Sequence, residues 1–257
     1  MRQLRRHRYL ALFFFYLVIL LPFSAHLVDA LCLASLTLSI IVFVFAAGPF
    51  TRTSAWLPTA IEISAIFRLC LYAPLARLIL GNSGALDDWL IRPIGSIIAQ
   101  DSPVGLAVGF GIFAMLQLLI IPKGVSGISE VAARFALDSL PSRSLNIEKK
   151  LARGELTNAE AAQKQTELRE TTDSLGKMDG SVRFLTLEAR VGVIVSALIL
   201  CLGSAYAILG MGEPPVRAIA AYFELAVGAN IICFTPLMLM MFATTSIVRR
   251  ALPGWDT

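Results

Sequence analysis

Charged side chains lodged in long apolar stretches are the residues of this sequence best placed to do chemistry, and the chemistry they suit is the handling of protons or ions. Glu62, Arg68 and Arg77 share one apolar stretch, and Glu224 lies in another. A charge near mid-bilayer costs about 2.5–3.5 kcal/mol even on lenient insertion scales, so Arg68 is expected to face a protein partner or a wet cavity. At about 100° per residue, Arg68 lies about 180° from Arg77 and about 120° from Glu62, so the three do not pair within one helix. Glu224 is a candidate partner for Arg68 across a helix interface, while Arg77, near the end of its stretch, can snorkel to the surface. Asp29, at the start of an apolar stretch, reads as interfacial.

A second set of charges stands in the polar segment between apolar stretches. Glu130, Arg134 and Asp138 recur every four residues after Lys123, stacking acid, base and acid on one helix face. As a surface ladder, such exposed pairs contribute only about 0.3–0.5 kcal/mol. Further on, Asp179-Gly180 is a turn signal, and Glu188 with Arg190 stands at the threshold of the next apolar stretch. A carboxylate beside a membrane entrance is a proton-handling candidate, although a turn aspartate also occurs for structural reasons alone.

The elements that must position these groups follow from composition. The 257 residues are 56% hydrophobic and 16% charged, with a mean hydropathy of +0.73, too apolar for a soluble domain of this size. An all-α polytopic membrane protein is expected, because a bilayer accepts apolar side chains and asks that backbone polar groups be paired within helices. About 20 apolar residues cross the hydrocarbon layer. Six stretches come near that length: residues 9–24, 27–48, 56–80, 104–122, 189–211 and 218–247. The first also resembles a signal peptide, with RQLRRHR before a short apolar run and Ala25 or Ala30 as possible cleavage positions.

With the N-terminus inside, 17 of the 22 basic residues fall on the cytoplasmic side, and Arg92 and Arg217 alone fall in outside loops. This satisfies the positive-inside rule and puts both termini in the cytoplasm. The formal charge of +4 therefore reports topology, and no basic run carries the aromatics or motif of a nucleic-acid reader. The expected organisation is spans one to four over residues 1–122, a helical cytoplasmic segment over 123–187, and spans five and six over 188–257.

Within the segment, Ile128, Val131, Ala132, Phe135, Ala136 and Leu140 share a helix face, and Pro141 is expected to end that helix. Thr157 followed by Glu160 is a capping-box start, Glu160 and Lys164 form an i, i+4 pair, and Gly154 and Gly176 sit where helix C-caps are expected. Cys32, Cys70, Cys201 and Cys233 all lie in apolar stretches without metal or redox spacing, and His7 and His26 form no site with sequence neighbours. Gly109 and Gly111 have no strand before them and open no dinucleotide fingerprint. No metal, cofactor or enzymatic activity is expected.

At this point the sequence resembles the FHIPEP family, the export-gate membrane proteins of bacterial flagella and type III secretion systems. The stretches that carry the resemblance are Pro122 to Pro141 with its KG...I.EVAARFALD..P frame, KMDGSVRF from Lys177, LPFSAHLVDALCLASLTLSI near the start, and FRLCLYAPLARLIL around Arg68 and Arg77. The resemblance implies an inner-membrane ring of copies of the chain, associated with other export-gate proteins. It also implies coupling of proton motive force to the passage of unfolded substrates, which the membrane portion meets only indirectly. It makes Asp179 an acid of proton coupling, with Asp138 and Glu188 as further candidates and Arg134 as a charge of the signature helix. Departures are Gly127 for a basic residue, Ala229 for an acid, Tyr72 for an Asn, Glu188 for an Asp, and Thr186-Leu187 for Arg-Gly.

Family members are expected to continue beyond the equivalent of Thr257 into a large cytoplasmic domain, so a truncated product, a fragment or a shortened paralogue are all open. Two other readings also stay open. One is a diverged remnant that inserts without supporting export, and the other is an independent transporter built around Glu62, Arg68 and Glu224, for which no inverted repeat is visible.

Overall fold

The computed structural model describes residues 23–48, 56–81, 90–99 and 103–251. Among these residues the regular elements are helices: α1 (Ala25–Ala47), α2 (Leu57–Gly81), α3 (Ile91–Ala99), α4 (Pro103–Met115) running through a π-helical turn (Leu116–Ile120) into α5 (Ile121–Ala152), α6 (Asn158–Gly210) and α7 (Pro215–Ala251). Five stretches are long and apolar enough to cross a membrane: Ala25–Ala47, Leu57–Gly81, Ala107–Gly127, Asn158–Gly210 and Pro215–Val248. They coincide with the second to sixth expected spans. The first, residues 9–24, falls outside the described residues apart from its last two.

The helices pack into two apolar cores stacked along their axes. One gathers Cys32, Leu71, Tyr72, Leu75, Ile79, Ile199, Tyr222 and Cys233. The other gathers Val42, Leu57, Ala65, Met178, Leu185, Ala189, Phe234, Leu237 and Met240. Small residues let backbones approach closely where α3 meets α7. A Cβ on Gly228 would stand 2.0 Å from the Ile91 carbonyl oxygen, and one on Gly95 2.2 Å from that of Glu224. This is the close backbone contact that glycine permits between membrane helices. Edge-to-face pairs Phe110–Phe223 and Phe113–Phe234, with centroids 6.0 and 5.9 Å apart, tie α4 to α7.

Three expected breaks are overturned. Pro141 lies inside α5, which runs on to Ala152. The proline is exposed, so the carbonyl freed by its missing N–H can be hydrated, and the Ser142 hydroxyl donates to the Ser139 carbonyl at 2.9 Å. Gly176 and Asp179-Gly180 likewise form no cap and no turn. They lie within α6, which continues from the polar segment into the apolar stretch without a break. The reason is tertiary: Met178, Val182, Leu185 and Ala189 are fully buried at i, i+4, i+7 and i+11 spacing, and that continuous face outweighs a local turn preference. Gly180 is exposed, and a Cβ there meets nothing within 4 Å. Gly180→Ala should therefore stabilise α6 by up to about 1 kcal/mol, read as a higher unfolding midpoint in detergent. A lower midpoint would mean that a glycine-dependent turn exists there after all.

The other two signals hold. Gly154 takes φ +74°, and Glu155 N–H donates to the Lys150 carbonyl at 3.0 Å to close α5. Thr157 then opens α6 with a reciprocal capping box: its N–H donates to the Glu160 carboxylate at 2.8 Å, and its hydroxyl accepts from Glu160 N–H. The Thr157 backbone N–H, then its hydroxyl, then Lys164 hold the Glu160 carboxyl below its ordinary value near 4.5. A carboxylate with a lowered value contributes stability above the ordinary value and loses it as pH falls through the lowered one. Fraying of the α5–α6 junction is therefore expected to begin in acid below about pH 4.5 and to be present already at neutral pH in Thr157→Ala, measured by amide hydrogen exchange at residues 158–161.

Candidate functional site

Between the two apolar cores lies a polar layer. On α1 it is Ser39, with Ser35 one turn beyond it, on α2 Ser64 and Arg68, and on α6 Glu188, all buried. Their helical spacing explains the alignment: Ser35 and Ser39, like Ser64 and Arg68, are four apart, so each pair shares one face of its helix. The side chains of Arg68 and Glu188 are 1% and 0% exposed.

The guanidinium engages Glu188 with both forks. Arg68 Nε donates to Glu188 Oε1, and Nη2 donates to Oε2 at 2.9 Å. Nη1 donates to Ser64 Oγ at 2.6 Å and to Ser39 Oγ at 3.2 Å. The Ser39 hydroxyl donates in turn to the Ser35 carbonyl at 2.9 Å. Planar fork-to-carboxylate geometry is what only arginine supplies, and the hydroxyls satisfy donors that desolvation would otherwise leave costly. The arrangement holds an ionisable carboxylate in a buried layer with one counter-charge, so protonation of Glu188 would remove the charge pairing and leave neutral hydrogen bonds in its place.

This corrects the expected partnership of Arg68 with Glu224. Glu224 instead lies half-buried on α7 with its backbone against Gly95 of α3. Glu62 is half-buried on α2, and Arg77 is exposed towards that helix's end. Neither Ser39 nor Ser64 was singled out from sequence, and the spacing Ser64-x-x-x-Arg68 was the signal available.

At the other candidate position α5 and α6 come together. Arg134 pairs with Glu130 at 2.8 Å on α5, and Arg183 with Asp179 at 3.0 Å on α6. Both pairs line one cavity of about 280 Å³. Asp179 is 30% exposed there, while Asp138 and Lys123 are exposed. The three candidate acids therefore separate: Glu188 is buried in the core, Asp179 part-exposed at a charged cavity, and Asp138 in the open. Glu188 follows Asp179 by nine residues on the same unbroken helix. Among the described residues no group of three His, Cys, Asp or Glu side chains has metal-holding geometry. Cys32, Cys70 and Cys233 are buried free thiols, and Cys201 is exposed.

A family model described as the FHIPEP family matches residues 15–255. The flagellar biosynthesis protein FlhA of Borreliella burgdorferi is 30% identical over 240 residues, covering 91% of this chain and 34% of that protein. Protein MxiA of Shigella flexneri shows 30% identity over 240 residues, with 91% and 34% covered. The invasion protein InvA of Salmonella typhimurium shows 30% over 238 residues, with 90% and 33% covered. The chain thus spans about a third of the length of these relatives. No solved structure matches it.

Proposed function

The chain belongs to the FHIPEP family, and from that premise we propose that it is a bacterial inner-membrane component of a type III protein export apparatus, flagellar or virulence-type, coupling protonation to export. The observation that carries the reading is the bidentate Arg68–Glu188 pair, a charge pair desolvated between two apolar cores. Such a pair is weak evidence for stability, since hydrophobic residues of similar volume serve as well or better, and this favours a role in switching. Glu188 is the protonatable group. Asp179, in the cavity it shares with Glu130, Arg134 and Arg183, is the relay acid facing the cytoplasm, and the helix between Asp179 and Glu188 is the element that their charge state biases.

In this reading both termini are cytoplasmic, residues 123–187 form a cytoplasmic segment, and the chain works in a homo-oligomeric ring beside other export-gate membrane proteins. Exported substrates meet it only indirectly, and no nucleic acid, metal or cofactor takes part. The names of the relatives, a flagellar biosynthesis protein and an invasion protein among them, support the export class without choosing between systems. Crosslinking in the native cell, followed by mild-detergent purification of the tagged chain and mass spectrometry, tests the reading. Co-recovery of other export-apparatus membrane proteins is expected. Recovery of the chain alone would favour a remnant or an independent transporter, and a liposome flux assay would separate those two.

A further inference from the structure

One helical turn beyond the Arg68–Glu188 pair, away from the polar half of α6, α1 and α2 each carry a second polar residue and α6 a glycine. On α1 it is Ser35, one turn from Ser39. On α2 it is Tyr72, one turn from Arg68, and on α6 it is Gly192, one turn from Glu188. Gly192 brings the layer together, because a Cβ there would stand 2.6 Å from both the Tyr72 hydroxyl and the Gln117 amide nitrogen. Gln117 comes from the π-helical turn Leu116–Ile120, a local widening that recurs at functional sites. Asn230 lies three residues before Cys233 on α7, and the Cys233 thiol faces the Tyr72 hydroxyl.

The first layer is satisfied and this one is not. Gln117 is 0% and Asn230 1% exposed, yet both polar atoms of each amide, together with the Ser35 hydroxyl, have no hydrogen-bond partner in the protein. The Tyr72 hydroxyl has only a weak thiol beside it. Buried amides without protein partners are rare, and their usual partner is a buried molecule that donates and accepts at once. A metal cation does not fit, because the one carboxylate at hand is held by the Arg68 fork.

We infer that Ser35, Tyr72, Gln117 and Asn230 bind water inside the membrane core and hydrate the face of Glu188 turned away from the polar segment. As a path, this rests on the coupling reading above. A proton carried along the bound water adds to the Glu188 carboxylate, gives the neutral acid and leaves the delivering water neutral. As a binding site, it stands on the second layer alone.

The test is X-ray hydroxyl-radical footprinting of the full chain in lipid nanodiscs, where radicals born from bound water label side chains that bulk solvent does not reach. Labelling is normalised to the denatured chain, and Met240, 0% exposed in the other apolar core, is the dry control. Tyr72 is expected to label about tenfold faster than Met240, and to lose most of that rate in Gln117→Leu, whose amide nitrogen lies with the Tyr72 hydroxyl around Gly192, while Met240 stays unchanged. Labelling of Tyr72 no faster than Met240 would overturn the inference, as would a Tyr72 rate indifferent to Gln117→Leu. Fast labelling in wild type together with normal export by Glu188→Gln would leave the water site standing and sink the coupling reading by itself.

Discussion

Glu188→Ala should destabilise the membrane core by about 3–5 kcal/mol, because it leaves the Arg68 guanidinium desolvated with only two serine hydroxyls as partners. Arg68→Met should cost a similar amount by stranding the carboxylate. The double variant Arg68→Met/Glu188→Leu is the informative one. It removes both charges and fills the layer with apolar volume, so it should recover most of the lost stability and match or exceed the parent chain. The coupling energy between the two sites, read from thermal or denaturant unfolding in detergent, is then large and of opposite sign to the single effects. Export should not follow stability. The double variant is expected to be well folded and inactive, whereas a purely structural pair would give a double variant both folded and active.

The second large effect is expected where α3 lies on α7. Gly228→Ala drives a methyl group to 2.0 Å from the Ile91 carbonyl oxygen, which is backbone and has no rotamer to yield. A loss of about 1–3 kcal/mol or more is expected, the range for overpacking a filled interface, and Gly95→Ala should behave alike from the other side, at 2.2 Å from the Glu224 carbonyl oxygen. Gly203→Ala would bring its methyl to 2.1 Å from the Tyr222 ring, which is 1% exposed and held in the apolar core, so a loss in the same range is expected. Parent-like unfolding midpoints for Gly228→Ala and Gly95→Ala would mean that the α3–α7 backbone contact is not as tight as described.

Much of this architecture was legible in the residues. The spans around Arg68 and Glu224 and the cap at Thr157 are local signals, written by apolar length and by side chains that bond their own backbone. The stops at Pro141 and Asp179-Gly180 failed for different reasons: the proline is exposed, so solvent can satisfy the carbonyl it frees, and the turn was outweighed by packing. Turn preference is worth about a kilocalorie per mole, whereas the stripe of Met178, Val182, Leu185 and Ala189 buries four side chains whose partners come from distant parts of the chain. Arg68 was recognisable as a charge in need of a partner, but its partner stands 120 residues away, and periodicity within one helix carries no record of what packs against it. The Ser39 and Gln117 positions were silent for the same reason, since a lone polar residue in an apolar run acquires meaning only beside its neighbours.

The claim at the centre of the account is that Glu188 takes up a proton reversibly and lets go of Arg68 when it does. Infrared difference spectroscopy of the full chain in nanodiscs, titrated with acid and compared with Glu188→Gln, addresses it directly. The account predicts a protonated-carboxyl band that appears on acidification, disappears on return, is missing from Glu188→Gln, and is accompanied by a shift of the arginine guanidinium bands that Arg68→Lys abolishes. Identical spectra for parent and Glu188→Gln throughout the range in which both stay folded would contradict it, and would reduce the pair to a fixed structural bond.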